Sequence, residues 1–319
     1  MKRLMHCAAL LACVIAGPAA AQTAVPKQIK IVVPFSAGAS NDAIARAIAP
    51  QLAQRLKTIV IVENRVGAAG VIGSEYVAKS AKDGATLLLT SSSFLTSAAT
   101  QPRMPYDPVK SFEPVAMVGQ GPLVLAVSGA KPHADLPALL NAARARPDAL
   151  NYGTAGIGSL AHLATVMMNE SAKVAMTHVP YKGAANAASD LAGGQIDLML
   201  ANYSSLAPLV QGGKVKLVAT TAPAAHPAFP DLPPAAQVLP GYTVEIWVGV
   251  FAPAGTPQDL VARYNDAINQ ISASKETTAL LDMDGTVPAA LSSADFGRRV
   301  AGDLAQWRNV AQSHHITVE

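Results

Sequence analysis

IKIVVPFSAGASNDAIARAIAPQLAQRL, residues 29–56, contains the strongest structural signal of the chain. An apolar run rich in β-branched residues ends at Pro34, and a loop of small residues follows. Apolar residues then recur every four positions, which places them on one face of a helix: Ile44, Ile48, Leu52 and Leu56. The segment therefore predicts a strand, a loop and the start of an amphipathic helix.

The predicted loop at residues 35–41 leads into the N-terminus of that helix. First-turn N–H groups have no intrahelical partner, and the helix macrodipole favours negative charge beside them. We therefore expect the loop to hold a carboxylate or a phosphate. A structural interpretation stays equally open, because any strand-to-helix turn has this character and Ser40, Asn41 or Asp42 would serve as an N-cap.

The first residues are typical of a signal peptide. Lys2 and Arg3 precede an apolar run, and a signal peptidase cleavage site of small residues ends at Ala21. We therefore expect residues 1–21 to be removed and the protein to be periplasmic. Lipidation at Cys13 is the competing interpretation. Because Cys7 and Cys13 are the two cysteines of the chain, cleavage after Ala21 leaves no disulfide, thiol nucleophile or thiolate metal site.

Composition excludes several classes of function. Charged residues make up 14% of the chain, and removing Lys2 and Arg3 lowers the formal charge from +3 to +1, so we expect no nucleic acid partner. No later apolar run reaches the length of a membrane span. With half of its residues apolar, a chain of this length fits two domains better than one.

Strand and helix patterns alternate along the chain in two series, which predicts an α/β fold with two lobes. The second series begins near Leu123, and a proline-rich connection at residues 222–241 precedes a return to strand character. Ligands of such sheets lie outside the carboxyl ends of the strands. We therefore expect the site among five loops, at residues 35–42, 91–94, 154–159, 180–183 and 202–204.

A search for catalytic motifs finds no nucleophile elbow, zinc-binding helix or phosphate-binding loop. The predicted loops carry mostly Ser, Thr, Gly, Asn and Ala, which suit binding better than acid–base chemistry. We therefore expect neither an enzyme nor a cofactor. A periplasmic hydrolase is the alternative, and it requires a nucleophile with a base that the sequence does not reveal.

A few polar residues allow two interpretations. His162 follows Ser159 by three positions, so it either braces its loop by bonding a backbone carbonyl or contacts a ligand, while Ser159 either caps the helix or binds the ligand. Asp197, placed within a buried strand at residues 196–200, needs a neighbouring donor or a ligand group. We expect Lys182 to be exposed and Trp247 to be a core residue.

Many short motifs in a fixed order resemble the Bug family, the periplasmic receptors of tripartite tricarboxylate transporters. They begin with VPFSAG at residues 33–38, followed by Asp42 and Arg46. Further matches are VENR at 62–65, YDP at 106–108, NYG at 151–153, GIGS at 156–159 with His162, VPYKG at 179–183, GGQID at 193–197, PGY at 240–242, Trp247 and APAGTP at 252–257. The resemblance covers nearly all of the chain after the leader.

This resemblance implies a type II periplasmic binding fold, in which two α/β lobes joined by two crossing strands close on a small carboxylate. We expect residues 22–122 and 248–319 to form one lobe and residues 123–247 the other. The implied partners are the permease subunits of a tripartite transporter or, alternatively, a sensor kinase, and we expect a monomer.

Combining the loops with the resemblance gives a predicted ligand site. Phe35 should form a wall, Asp42 should orient the first helix, and four neighbours should supply donors to a carboxylate: Ala37, Gly38, Ser40 and Asn41. Residues expected across the cleft are Thr154, Gly158, Ser159 and His162. Those expected at the variable end of the ligand are Ser92, Asp197 and Tyr203.

Overall fold

The computed structural model describes residues 23–131 and 133–318. The predicted signal peptide, with both cysteines, lies outside these ranges. The eleven strands of the described residues are β1 (Gln28–Val33), β2 (Ile59–Asn64), β3 (Thr86–Ser91), β4 (Phe112–Pro122), β5 (Val124–Ser128), β6 (Asn151–Thr154), β7 (Thr177–Pro180), β8 (Leu198–Ala201), β9 (Val215–Thr220), β10 (Glu245–Pro253) and β11 (Val287–Pro288).

Within the described ranges, ten α-helices connect and cover these strands. They are α1 (Ser40–Leu56), α2 (Val71–Ala78), α3 (Ser93–Thr100), α4 (Leu136–Ala145), α5 (Leu160–Ala172), α6 (Ala184–Ala192), α7 (Ala207–Gln211), α8 (Gln258–Ser272), α9 (Lys275–Asp282) and α10 (Ser293–Ser313). Among the residues described, no helix combines the length and the apolar character needed to cross a membrane.

The strands form two sheets, one in each lobe. The first has the order β11-β4-β10-β3-β1-β2, and the second has the order β7-β6-β8-β5-β9. In the first sheet β1 is parallel to both neighbours, with Ile31 beside Val62 and Leu87, while β10 is antiparallel to β3 and β4. In the second sheet β6 is parallel to β7 and β8, whereas β5 is antiparallel to β8 and β9.

The opening segment folds as its periodicity predicts. β1 ends at Val33, and α1 buries Ile44, Ile48 and Leu52 almost completely against the first sheet. The core of this lobe continues through α8, which packs on the same side as α1. The loop between β1 and α1 is thereby held between two buried elements.

The chain crosses between the sheets twice. β4 and β5 are separated by Leu123 alone, and the chain returns just before β10 at Val244. Thr221 joins the two crossings: its N–H donates to the Leu123 carbonyl at 2.9 Å, its carbonyl accepts from Val244 N at 3.0 Å, and its Oγ1 accepts from Leu123 N at 2.9 Å. The implied pair of crossing strands, and with it the two-lobed α/β fold, is confirmed.

Replacing Thr221 with valine should destabilise the protein. The methyl group fits where Oγ1 lies, but the Leu123 N–H loses its acceptor in a site where Thr221 is 1% exposed, which costs roughly 2 kcal/mol. Urea denaturation measures the loss. Thr165→Val is the control, because that buried hydroxyl only donates to the Ala161 carbonyl one helical turn away. Equal losses in the two variants would contradict the role assigned to Thr221.

Four elements escaped the sequence analysis, namely α3, β4, α9 and β11. β4 was missed because Pro114, Gly119 and Gly121 interrupt its strand pattern. The structure explains both glycines: a Cβ on Gly119 would lie 2.7 Å from a Leu281 methyl, and one on Gly121 would lie 2.7 Å from the Gly285 carbonyl oxygen. The end of α9 and the loop after it therefore approach β4 so closely that Gly119 and Gly121 leave no room for a side chain.

Candidate functional site

A cavity of about 300 Å³ lies between the two lobes. Its first wall follows the carboxyl ends of β1 and β3, and its second comes from β10 and the loop after α9. Leu160 and Asn202 close it from the second lobe. The remaining lining residues are Phe35, Ala39, Ser40, Asn41, Ile44, Ser91, Ser92, Ser93, Ile246, Trp247, Val248, Asp284 and Thr286.

The loop before α1 supplies one helix N-terminus to the cavity. Gly38 takes a φ of +83°, which side chains adopt at a cost, and this turn brings Ala39 to the N-cap position of α1. The loop is held from outside by Asn64, whose Nδ2 donates to the Phe35 carbonyl at 3.1 Å and to Asp42 Oδ1 at 2.8 Å. Ala37 and Gly38 belong to this turn but lie outside the cavity lining.

Asp42 fixes the geometry of this helix start, as the sequence predicts. Its Oδ2 accepts from Gly38 N and from Arg46 Nε, both at 2.9 Å. Burial alone would raise the pKa of Asp42, but the hydrogen bonds from Arg46, Gly38 and Asn64 outweigh burial and lower that pKa to about 2. The charged carboxylate therefore shapes the loop and is not among the residues that line the cavity. The N-cap is Ala39, without a side-chain hydrogen bond, so the expected cap at Ser40, Asn41 or Asp42 is wrong.

We expect Asp42→Asn to lower the free energy of unfolding by roughly 2 kcal/mol at neutral pH, since the lowered pKa reports stabilisation of that size. This stabilisation is present above the unfolded pKa near 3.8 and is lost as the pH falls through about 2. Chemical denaturation at pH 7 measures it. The control is Asp135→Asn, which weakens the exposed N-cap of α4. A loss no greater than that of the control would contradict the assignment.

A second helix N-terminus faces the cavity at α3. Ser93 begins this helix, its Oγ lies 2.9 Å from Ser91 Oγ, and Ser92 N donates to the Trp247 carbonyl at 3.0 Å. The first turn of α3, in which Leu95 N donates to the Ser92 carbonyl at 3.0 Å, and three hydroxyls therefore meet the N-terminus of α1 across a small space. Of the residues predicted for the site, the structure brings Phe35, Ser40, Asn41 and Ser92 together.

The predicted residues at the start of α5 have partners of their own. Ser159 Oγ caps α5, accepting from His162 N at 3.3 Å, and donates to the Gly156 carbonyl at 2.7 Å. Thr154 Oγ1 bonds His178 Nε2 at 2.7 Å. A Cβ on Gly158 would lie 2.7 Å from Thr100 Oγ1, so this turn packs against the first lobe. These residues shape the second lobe, and only Leu160 of this helix start lines the cavity.

His162 braces the same turn, although the predicted carbonyl partner is wrong. Its Nδ1 accepts from Gly158 N at 3.2 Å, and its ring stacks on His178 with centroids 3.9 Å apart. Burial, and then the neighbouring His178, lower the pKa of His162 to about 4, and burial also lowers the pKa of His178. Both rings are therefore neutral at physiological pH, and neither lies in the cavity lining.

Asp197 is not among the residues that line the cavity, and the prediction that it lies inside a strand is wrong. β8 begins one residue later, so Asp197 is at the amino end of the parallel strands while the cavity is at their carboxyl ends. Its carboxylate accepts from Asn151 N at 2.8 Å and pairs with Lys131 Nζ at 3.3 Å. Of the two interpretations offered for Asp197, a neighbouring donor or a ligand group, the neighbouring donors therefore account for its burial.

Tyr203 and Lys182 also lie outside the cavity lining. Tyr203 is next to the cavity-lining Asn202, but its ring packs edge-on against Phe229 at 5.3 Å. Lys182 is exposed, as expected.

Several lining residues escaped the sequence analysis. Trp247 is fully buried, as predicted, and it is also among the residues that line the cavity, with its strand neighbours Ile246 and Val248. Asp284 and Thr286 come from a loop that no pattern distinguished. The sequence predicts the strand around Trp247, but it does not predict that Asp284 and Thr286 lie beside that strand.

Comparisons with known proteins show which family the chain resembles. The family model described as "Tripartite tricarboxylate transporter family receptor" matches residues 44–316. Protein BugT of Bordetella pertussis is 33% identical over 301 residues, which cover 93% of this chain and 92% of that protein.

Two similar solved structures contain a carboxylate. Rpa4515 of R. palustris with adipate is 33% identical, with a TM-score of 0.78 over 91% of this chain and 98% of that chain. MatC from Rhodopseudomonas palustris with bound malate is 31% identical, with a TM-score of 0.74 over 89% of this chain and 98% of that chain.

Proposed function

Since the chain belongs to the tripartite tricarboxylate transporter receptor family, which includes the Bug proteins, we propose that it captures a small carboxylate between its lobes in the periplasm and delivers it to a tripartite transporter. One observation carries this proposal: the N-termini of α1 and α3 meet serine hydroxyls at a cavity between two lobes. Such a site binds an anion without a cationic side chain.

In this proposal, a ligand carboxylate lies against the first turns of α1 and α3. The backbone N–H groups of Ser40 and Asn41, the Asn41 side chain and the serines at residues 91–93 offer donors, while Phe35 and Trp247 exclude water around them. Exclusion of water strengthens each of these hydrogen bonds. Adipate and malate in the related structures support a ligand of this chemical class.

Within the described residues, the proposed lobes are 23–122 with 248–318, and 123–247, of which residues 245–247 already pair with β4 of the first sheet. The chain passes between them only near Leu123 and Val244 among the described residues, so rotation about these two crossings would open and close the cleft. Leu160 and Asn202 would then leave the cavity wall as the lobes separate.

The composition of the cavity wall disfavours a hydrolase. Its described residues include serines and one carboxylate, Asp284, but no histidine, lysine or cysteine, and the paired His162 and His178 lie elsewhere. A serine nucleophile needs an adjacent base, and Asp284, which accepts a hydrogen bond from Ser40, is a much weaker base than a histidine or a lysine. The geometry therefore supports binding.

A ligand screen tests the proposal. The protein is unfolded and refolded to remove carried ligand, and then heated with mono-, di- and tricarboxylates and acidic amino acids. A ligand at a hundredfold its Kd adds about 2.7 kcal/mol of stability, which raises the Tm by several degrees.

A cavity-filling variant shows whether binding occurs at this site. Ala39→Phe fills the space beside α1 and should abolish the shift, whereas Ala81→Phe, at an exposed position outside the cavity, should keep it. No shift with any carboxylate, or equal shifts in the two variants, would overturn the proposal.

A further inference from the structure

Asp284 is the one charged side chain among the described residues that line the cavity. It is 7% exposed, and its carboxylate accepts hydrogen bonds from Ser40 Oγ at 2.8 Å and from Ser204 Oγ. Ser40 begins α1 in the first lobe, while Ser204 follows β8 in the second. A negative charge thus lies beside the helix N-terminus that would bind a carboxylate.

The loop that carries Asp284 is rigidly built. Asp284 N and Thr286 N both donate to the Leu281 carbonyl at 3.0 Å, which ends α9 in a tight turn. Gly285 has a φ of +65°, and a Cβ there would lie 2.2 Å from the Phe229 ring. The backbone hydrogen bonds and the packing of Gly285 against Phe229 therefore hold the Asp284 carboxylate at the cavity.

The hydrogen-bonding capacity of Asp284 is only partly used. An ionised carboxylate accepts about four hydrogen bonds, and two serine hydroxyls supply two. No ion pair among the described residues involves Asp284. A buried carboxylate without a cation is costly, and it repels a ligand carboxylate placed next to it.

We propose that Asp284 binds an ammonium group of the ligand, so that the preferred ligands are small amino acids whose carboxylate lies at the N-termini of α1 and α3. This inference rests on the proposed function and narrows its ligand class. A carboxylate and an ammonium one carbon apart match the short separation between the first turn of α1 and Asp284, which Ser40 bridges. At roughly 30 Å³ per water, a cavity of about 300 Å³ holds at least about ten small groups, enough for such a ligand.

Calorimetry with matched ligand pairs tests this inference. Each pair differs only in the amino group: succinate with aspartate, glutarate with glutamate, and adipate with 2-aminoadipate. We expect the unaltered protein to bind one amino acid at least about tenfold more tightly than its partner, as a charge-assisted hydrogen bond allows. Asp284→Asn should remove that preference by weakening the amino acid and sparing or improving the plain dicarboxylate.

Two further variants separate recognition from other roles. Asp282→Asn, at an exposed position two residues away, should leave the preference intact. Ser204→Ala breaks the bond between the lobes but keeps the carboxylate, so it should also keep the preference.

The outcomes distinguish this inference from the proposed function. If Asp284→Asn weakens both members of every pair equally, Asp284 only holds the lobes together and the inference is overturned. If plain dicarboxylates bind as well as amino acids before and after the substitution, the inference fails while the proposed function stands. If no carboxylate of either kind binds the refolded protein, both fail.

Discussion

Truncating Trp247 to alanine should lower the free energy of unfolding by roughly 3–5 kcal/mol, the usual cost of removing a fully buried large aromatic side chain. The indole packs edge-on against Phe296 at 5.4 Å and lies 6.0 Å from Phe251, so its removal leaves a void in the aromatic core. Its Nε1 also donates to Asp303 Oδ2 at 2.9 Å, and that bond is lost. Urea denaturation followed by circular dichroism measures the effect.

The same substitution should weaken ligand binding, because Trp247 is among the residues that line the cavity and its removal disturbs the strand that carries Ile246 and Val248. Trp307→Ala is the matched control: Trp307 is 3% exposed, lies outside the cavity lining, and its indole N–H has no partner among the described residues. We expect it to cost similar stability and to leave ligand affinity unchanged.

Since the alanine variant could fail to fold, Trp247→Phe provides a milder test. It keeps an aromatic ring in the core but loses the bond to Asp303, which costs roughly 1–2 kcal/mol. Ligand affinity that is unchanged in this folded variant and in Trp247→Ala would show that Trp247 is a core residue alone.

The first half of the site could be predicted because its signals are local. The period of Ile44, Ile48 and Leu52 placed α1, and a loop of small residues before an acidic first turn placed the start of that helix and Asp42. Local periodicity and capping are the kinds of information that a single sequence expresses strongly.

The other half depended on contacts between distant residues. Ser40 and Asp284 are 244 positions apart, and nothing near Asp284 in the sequence indicates that α9 ends against the cavity. The motif around Thr154, Ser159 and His162 was visible, but its hydrogen bonds turn out to stabilise the second lobe. A sequence pattern identifies residues with polar partners without saying whether the partner is a ligand or the protein itself.

Acidification should destabilise the protein through His162 well before it neutralises Asp42. The unfolded imidazole titrates near pH 6.5, whereas burial and the adjacent His178 lower the folded pKa of His162 to about 4. Between these values the unfolded state binds more protons, so stability falls as the pH falls. A shift of this size corresponds to roughly 3 kcal/mol lost between about pH 6.5 and pH 4. His178, whose pKa burial also lowers, changes stability in the same direction.

The structural reason is that a protonated His162 loses its role in the turn. Its Nδ1 accepts the Gly158 N–H, and a proton on that nitrogen would abolish the bond and place a cation at the N-terminus of α5 and against His178. Urea denaturation at intervals between pH 7 and pH 4 measures the decline. His162→Asn offers an amide oxygen to Gly158 and does not titrate, so its decline should be smaller by roughly 3 kcal/mol over that range. Parallel declines in both proteins would mean that folded His162 takes up a proton as readily as unfolded His162, and the buried histidine pair would then not limit stability in acid.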